Sequence, residues 1–275
     1  MDPVSSTVLL GCGGVRGAEY LGTYIFTTPR DYATYTWTVP ANTVYLLVYS
    51  WGSGGMPDGF INTFPGGSGG GGGYARAVIP VTPGETLYVG VGQASNNGGI
   101  SQSFGGSGGG FSGVFRTTTP LIIGGGGGGG AVNSSNAGGA GGGATGEASG
   151  GGYSGGTQST GGGYLTGSGS GAGGGYYGGF GGAGGAGGSG YINASGNLHT
   201  QYTTGSGRTP AGTSEIDYSF STSSGGLSFA YGGSGNNSGD FTYGTGRVVI
   251  HALGTGYSPA NFPTIPNPRT VIATY

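Results

Sequence analysis

Lysine is absent from this chain of 275 residues, and its seven arginines are scattered singly against nine acids, for a net charge of −2. Each absence removes a class of function. A phosphate-binding Gly-Lys-Ser/Thr loop cannot be built without lysine, and isolated arginines give no basic patch to track a phosphate backbone, so no nucleic-acid partner is expected. The single cysteine, Cys12, has no partner for an internal disulfide. Cys12, His199 and His251 show no short ligand spacing, so no metal site is expected, and no cofactor. No apolar run approaches the length of a bilayer crossing, and the start Met1-Asp2-Pro3-Val4-Ser5 lacks the basic and apolar regions of a conventional signal peptide. Helix formers are scarce and no segment has a period near 3.6, so almost no α-helix is expected.

What the chain has instead is glycine, 77 residues of it. Such a composition normally marks a disordered linker, but disordered chains are poor in aromatics and rich in charge. This one has 19 tyrosines, 12% aromatics and only 6% charged residues. The run Gly124–Gly130 follows an apolar segment, Pro120-Leu121-Ile122-Ile123, and has relatives at Gly69–Gly73, Gly108–Gly110, Gly161–Gly163 and Gly173–Gly175. From Tyr177 to Ser189, the residues Tyr177, Phe180, Ala183, Ala186 and Ser189 are each separated by two glycines. A period of three is that of polyproline II geometry, which has no internal hydrogen bonds and must bond to neighbours. A seven-residue run would span about 22 Å at roughly 3.1 Å per residue. Gly124–Gly130 and Gly178–Gly190 are therefore expected to be ordered, laterally bonded polyglycine helices. The Gly-Gly-X residues are expected on one edge against an apolar neighbour, and Gly182 is expected to admit no Cβ.

Strand signals are good. Tyr35–Val39 ends at Pro40, and Val44–Trp51 is apolar on both faces, which marks a central strand. Tyr74–Val81 and Glu85–Val91 flank Thr82-Pro83-Gly84, a hairpin-like connection. Further strands are expected at Val114–Thr117, Leu121–Ile123, Ile216–Thr222, Leu227–Tyr231 and Arg247–Ala252. In the last of these, Val248, Ile250 and Ala252 share a face opposite Arg247, Val249 and His251. The fold class expected is all-β: an antiparallel jelly-roll-like sandwich with an inserted polyglycine II helix bundle. Residues 35–252 form the glycine-rich domain, with main tracts at 66–73, 105–110, 124–130 and 138–190. Residues 1–34 read as an N-terminal docking arm. Residues 253–275 read as a proline-rich arm whose Phe262, Ile265, Val271 and Ile272 need cover from the domain or a neighbour.

Several of these segments carry a resemblance. Thr36–Ala41, Val44–Gly55, Gly69–Tyr74, Ala77–Gly92 with Val81–Leu87, Pro120–Gly130 and Gly246–Ile250 resemble the glycine-rich domain of phage tail proteins, large DNA virus proteins and some bacterial surface proteins. The resemblance spans roughly residues 35 to 252. More distantly, the chain is similar to the glycine-rich ectodomain of the anaplastic lymphoma kinase receptors, whose cysteines have no counterpart here. It is also similar to the fibre-tip adhesins of T-even-like phages. The resemblance implies a sandwich with packed polyglycine helices; fold alone does not fix function.

Reactive constellations are weak. Gly-X-Gly-X-X-Gly recurs by chance at this glycine content and carries no weight as a dinucleotide fingerprint, and no Gly-X-Ser-X-Gly lies at a strand-to-helix turn. Glu215 and Asp217 read as a solvated strand edge, and His251 as an ordinary strand residue. The sequons at Asn133, Asn193 and Asn236 matter only in a secretory pathway. Residues 191–246 change texture, with aromatics alternating with Ser, Thr, Asn and Gly as in antibody paratopes. Within the loops 194–212 and 232–245, Tyr202, Arg208, Phe241 and Tyr243 are the receptor-binding candidates. The function expected is a non-enzymatic virion protein exposed on the particle surface, a fibre-tip, attachment or minor coat component. Its expected partners are other copies of itself, other virion proteins and a host surface protein or glycan. The alternative is a cellular extracellular glycine-rich matrix, filament or ice-binding protein.

Overall fold

A strand with two apolar faces needs cover on both sides, and Thr43–Trp51 has two such faces. Leu46 and Val48 point into one core cluster, while Leu47, Tyr49 and Trp51 point into another. The computed structural model describes residues 20–57, 66–94, 105–131, 135–161, 169–218, 229–233, 243–267 and 269–275. Its strands are β1 (Tyr20–Phe26), β2 (Thr36–Thr38), β3 (Thr43–Trp51), β4 (Tyr74–Pro80), β5 (Thr86–Gly90), β6 (Ser112–Arg116), β7 (Thr119–Gly124), β8 (Tyr191–Ile192), β9 (Leu198–Thr203), β10 (Arg247–Gly254) and β11 (Val271–Thr274). A single 3-10 turn, Tyr32–Thr34, is the one helical element among the described residues.

The strands form two sheets, one of six in the order β11-β1-β10-β3-β4-β9 and one of five in the order β2-β5-β6-β7-β8. The fold is thus an all-β sandwich. Pairing is antiparallel except between β1 and β11, which run parallel. Between the sheets lie Leu46, Val48, Ala77, Ile79, Val248 and Ile250 from one side and Trp37, Leu87, Val89, Val114, Leu121 and Ile122 from the other. The alternation expected along β10 is what separates Val248, Ile250 and Ala252 from Val249 on the opposite face.

Some expected elements differ. Thr82-Pro83-Gly84 does not close a hairpin, because β4 and β5 belong to different sheets; the turn carries the chain across the sandwich, with Gly84 at φ +81° and its N–H donating to Val39 O. The described part of Ile216–Thr222, residues 216–218, is turn rather than strand, as are Phe229 and Ala230 of Leu227–Tyr231. Both segments cover the outer face of the six-stranded sheet, where Tyr218 and Ala230 pack on Tyr49, Trp51 and Tyr74. Their aromatic content serves burial without strand pairing. The segments expected to be arms contribute β1 and β11 to the sheet, with Tyr257 and Ile265 on the same covered face.

The glycine tracts prolong the strands at one end of the sandwich. β3 runs on into 52–57, tract 66–73 leads into β4, tract 105–110 into β6, β7 runs on into 125–131, and 184–190 leads into β8. The β3/β4 ladder continues as Gly52 N–H to Gly73 O and Gly55 N–H to Gly70 O. Here the two layers, which elsewhere sit about 10 Å apart to accommodate side chains, bond directly to each other. Gly73 donates to Gly125, Gly70 to Gly128, and Gly127 to Ser53.

Tract 124–130 lies at the centre. Its N–H groups repeat at intervals of three: Gly126 and Gly129 donate to Gly174 and Gly171, Gly127 and Gly130 to Ser53 and Met56, and Gly128 and Ala131 to Gly139 and Asn136. Its carbonyls do the same, accepting from Gly73 and Gly70, from Gly188 and Gly185, and from Gly109 and Gly106, all at 2.7–3.0 Å. One polyglycine helix is therefore ringed by six neighbours, donating to three and accepting from the other three. Fixing a residue's backbone costs about 1–2 kcal/mol, and a net hydrogen bond returns about 1, so these bonds roughly offset the ordering cost. Close packing and buried Ala131, Ala140, Ala186, Ser170 and Ser189 add to them. The gap between layers closes because glycine has no Cβ: one added at Gly128 would land on the carbonyl of Gly185, and one at Gly129 on that of Gly106.

Gly178–Gly190 is bonded as expected, but in two legs. Residues 176–180 fold back on 186–189, with Tyr176 N–H donating to Ser189 O, Ser189 N–H to Tyr177 O, and Ala186 N–H to Phe180 O. Gly184 takes φ +84° in the bend, a conformation open to glycine at little cost. The Gly-Gly-X residues consequently do not share one edge: Ala186 and Ser189 are buried while Tyr177 is exposed. Gly182 accepts from Ser170 N–H at 2.9 Å, but backbone is not what a side chain there would meet first. A Cβ there would meet the ring of Tyr153, a side chain that can move.

Candidate binding surface

The four binding candidates fall in different settings. Tyr202 lies on β9, the edge strand of the six-stranded sheet, and is 41% exposed; most of the described loop 194–212 is thus strand and tight turn. Arg208 is half-buried, its Nε donating to Gly232 O at 3.1 Å while its own carbonyl accepts from Gly232 N–H, so it clamps the edge of the glycine bundle. Tyr243 is half-buried, and burial raises its hydroxyl pKa. Phe241 lies outside the described residues, as do 234–242 of the second loop, Asn133, Asn236 and Cys12. Among the described residues, no hydrogen bond or ring contact joins Tyr202, Arg208 and Tyr243.

The strongest polar constellation joins Asp217 and His251, which the sequence offers only as a solvated edge and an ordinary strand residue. Asp217, expected on a solvated edge, is fully buried on the covered face of the six-stranded sheet. Its Oδ2 lies 2.9 Å from His251 Nε2 and its Oδ1 2.8 Å from Arg269 Nη1. His251 Nδ1 is 2.7 Å from Thr23 Oγ1, which is 2.7 Å from the Tyr20 hydroxyl; that hydroxyl donates to Thr270 O at 2.9 Å. A hydroxyl, an imidazole and a carboxylate in line are the parts of a nucleophilic triad. Here Thr23, His251 and Asp217 are all completely buried, with Tyr49 edge-on to the imidazole at 5.6 Å, so the hydroxyl has no path to a substrate. The chain of contacts fastens β1, β10, the 212–218 turn and the C-terminal segment to one another. Only the pairing of His251 with Thr23 across β1 and β10 could have pointed to it; Asp217 and Arg269 arrive from irregular segments with no periodicity. Nearby, Arg76 pairs with Glu215 at 3.1 Å and lies over the Phe262 ring at 4.6 Å, which holds the same cover in place.

Exposed aromatic surface gathers elsewhere, at the outer rim of the glycine bundle. Tyr176 and Tyr177 are 37% and 36% exposed. Tyr176 stacks on Tyr191 with centroids 4.1 Å apart and meets Tyr177 edge-on at 5.0 Å. Ser189 Oγ donates to Thr157 O, which brings the 157–160 turn alongside, and exposed Gln158 donates from Nε2 to Gly190 O at 2.6 Å and to Ala144 O at 3.2 Å. Gly190 N–H bonds to Gly143 O, and a Cβ at Gly143 would lie 2.9 Å from the Tyr202 ring, so Tyr202 adjoins the same rim. In the sequence Tyr177 stands inside a glycine tract and reads as packing, and Tyr176 beside it carries no signal of its own. No family model matches the chain, and no curated protein matches it.

Proposed function

We propose that the chain is a non-enzymatic virion structural protein displayed on the particle surface as a fibre-tip, attachment or minor coat component. The observation that carries this reading is the glycine bundle, a core closed by backbone hydrogen bonds that needs few bulky side chains and holds a tyrosine-bearing rim in fixed positions. A rigid platform of this kind suits presentation: ordering is already complete before a partner arrives, so contact costs little further entropy. The resemblance to glycine-rich tail and large-virus proteins supports the same setting. Exposed Val271 and Ile272 on the edge strand β11 are apolar surface suited to neighbouring copies or other virion proteins. Gold labelling with an antibody against the folded chain tests it. Labelling of intact particles is the expected result, and labelling confined to a cell wall or extracellular sheath overturns it in favour of a matrix protein.

A further inference from the structure

From the tyrosine rim of the glycine bundle we infer that this surface binds a neutral glycan, with Tyr176, Tyr177 and Tyr202 as stacking faces and Thr157 and Gln158 as the polar flank. The inference rests on the attachment reading above and names the class of its ligand.

A protein partner is usually gripped by aromatic anchors packed in desolvated pockets. Here the rings are part-exposed on a fixed base: Tyr176 has one face on the Tyr191 ring, and Tyr202 lies beside Gly143. An aromatic face left open on a rigid base suits a flat ligand with an apolar face, and a pyranose ring presents one in its axial C–H groups. The flank settles the polarity. Thr157 Oγ1 is held within its own turn by Ser159 and Thr160, and both Gln158 amide hydrogens are taken by Gly190 O and Ala144 O, so the flank is fixed in place and offers the Gln158 Oε1 as an uncharged acceptor for a sugar hydroxyl. Among the described residues, no charged side chain is bonded to these five; the carboxylate of Glu147 is engaged with the N–H groups of Ala140 and Gly207. A sialylated or uronic-acid glycan would find no cation there, whereas a neutral one needs none. Charge complementarity therefore selects the uncharged ligand. The spread of the surface, from Tyr176 and Tyr177 across Gln158 and Gly190 to Tyr202, favours an extended oligosaccharide over a single sugar.

The test uses the full chain on an array of neutral glucose, mannose, galactose and N-acetylglucosamine oligomers alongside sialylated and uronic-acid glycans, followed by titration of the best neutral ligand. Binding to at least one neutral oligomer is expected, changing less than twofold between 50 and 500 mM salt. The double variant Tyr176→Ala with Tyr177→Ala, and separately Tyr202→Ala, should weaken it tenfold or more, while Tyr176→Phe stays within threefold because stacking is kept. Each variant's melting temperature is measured to confirm folding. Binding only to acidic glycans, binding to none, or unchanged affinity in folded alanine variants overturns the inference. Particle labelling together with glycan silence sinks this inference and leaves the attachment reading standing. Rim-dependent glycan binding by a chain confined to a cell wall does the opposite.

Discussion

The sandwich and the glycine bundle are built on continuous strands yet are held together by different means. In the sandwich, Leu46, Val48, Leu87 and Val114 keep the sheets apart and bury apolar area, and backbone bonds run within each sheet only. In the bundle, the same chain segments lose their side chains and the layers close until backbone bonds run to six neighbours around tract 124–130. The difference concerns tolerance. A side-chain core can relax around a lost methyl group, at a cost of about 2–5 kcal/mol for a large-to-alanine change. A backbone core has no side chains to rearrange, so an added atom displaces a hydrogen-bonded carbonyl. The hydrogen-bonded interior of the bundle should therefore tolerate no added side chain, and the sandwich a good deal of change.

The largest expected effect follows directly. Gly128→Val places its Cβ on the Gly185 carbonyl and should prevent folding or lower the midpoint beyond anything Val48→Ala does in the sandwich. Thermal and denaturant melts of both variants check it, and equal losses would abolish the contrast.

Next in size is Asp217→Ala. It leaves Arg269 and His251 without the carboxylate they share, and removing one member of a buried pair costs about 3–5 kcal/mol. Because the cluster ties β1, β10 and the C-terminal segment together, hydrogen exchange should accelerate first in β1 and β11 while the amides of 126–130 remain protected. Uniform acceleration would mean that the two regions unfold as one.

A smaller, pH-dependent effect also separates the regions, because the tyrosines most perturbed by burial lie on the sandwich. Burial pushes the hydroxyls of Tyr49, Tyr74 and Tyr218 well above their usual range. Their folded forms retain protons that the unfolded chain releases near pH 10, so this stability is present below about pH 10 and is lost as pH rises further. Arg247 works the other way: desolvation lowers its pKa to about 10, and the folded state gains as pH rises past that value. With three tyrosines against one arginine, the melting temperature should fall above pH 10, and tyrosinate absorbance should rise in step with unfolding. A melting temperature constant to pH 11 would contradict the burial.

The sequence made the regular parts legible and the irregular parts opaque, for physical reasons. β3 was readable because it is apolar on both faces, β10 because alternation states which side chain goes where, and tract 124–130 because a seven-glycine run stands directly behind an apolar strand. β1, β9 and β11 were not. Tyr20–Phe26 has no clean alternation across Gly22, where the pairing with β10 shifts register and Ile272 packs over the glycine. Leu198–Thr203 is an edge strand of mostly exposed residues and reads as loop. Of the candidate surface, Tyr202 was legible from composition. Tyr176 and Tyr177 were not, since exposure depends on the bend at Gly184, and period-three spacing carries no sign of where a tract turns back.

That bend gives the smallest expected effect. By spacing alone, Gly182 stands in the same Gly-Gly-X run as Gly185, and a valine should be equally harmful at both. The structure separates them. A Cβ at Gly185 would land on the carbonyl of Gly171, inside the bonded lattice, whereas one at Gly182 meets the Tyr153 ring first, which is partly exposed. That ring can swing outward at a cost of about one lost packing contact and a changed rotamer, on the order of 1 kcal/mol. Gly182→Val should therefore shift the melting temperature by only a few degrees, while Gly185→Val behaves like Gly128→Val. Removing the obstacle sharpens the test: in a Tyr153→Ala background, Gly182→Val should cost less than it does alone, a coupling that a double-mutant cycle measures directly. If the two substitutions add without coupling, the ring is not what crowds Gly182, and the backbone bonded to it at Ser170 is the obstacle instead.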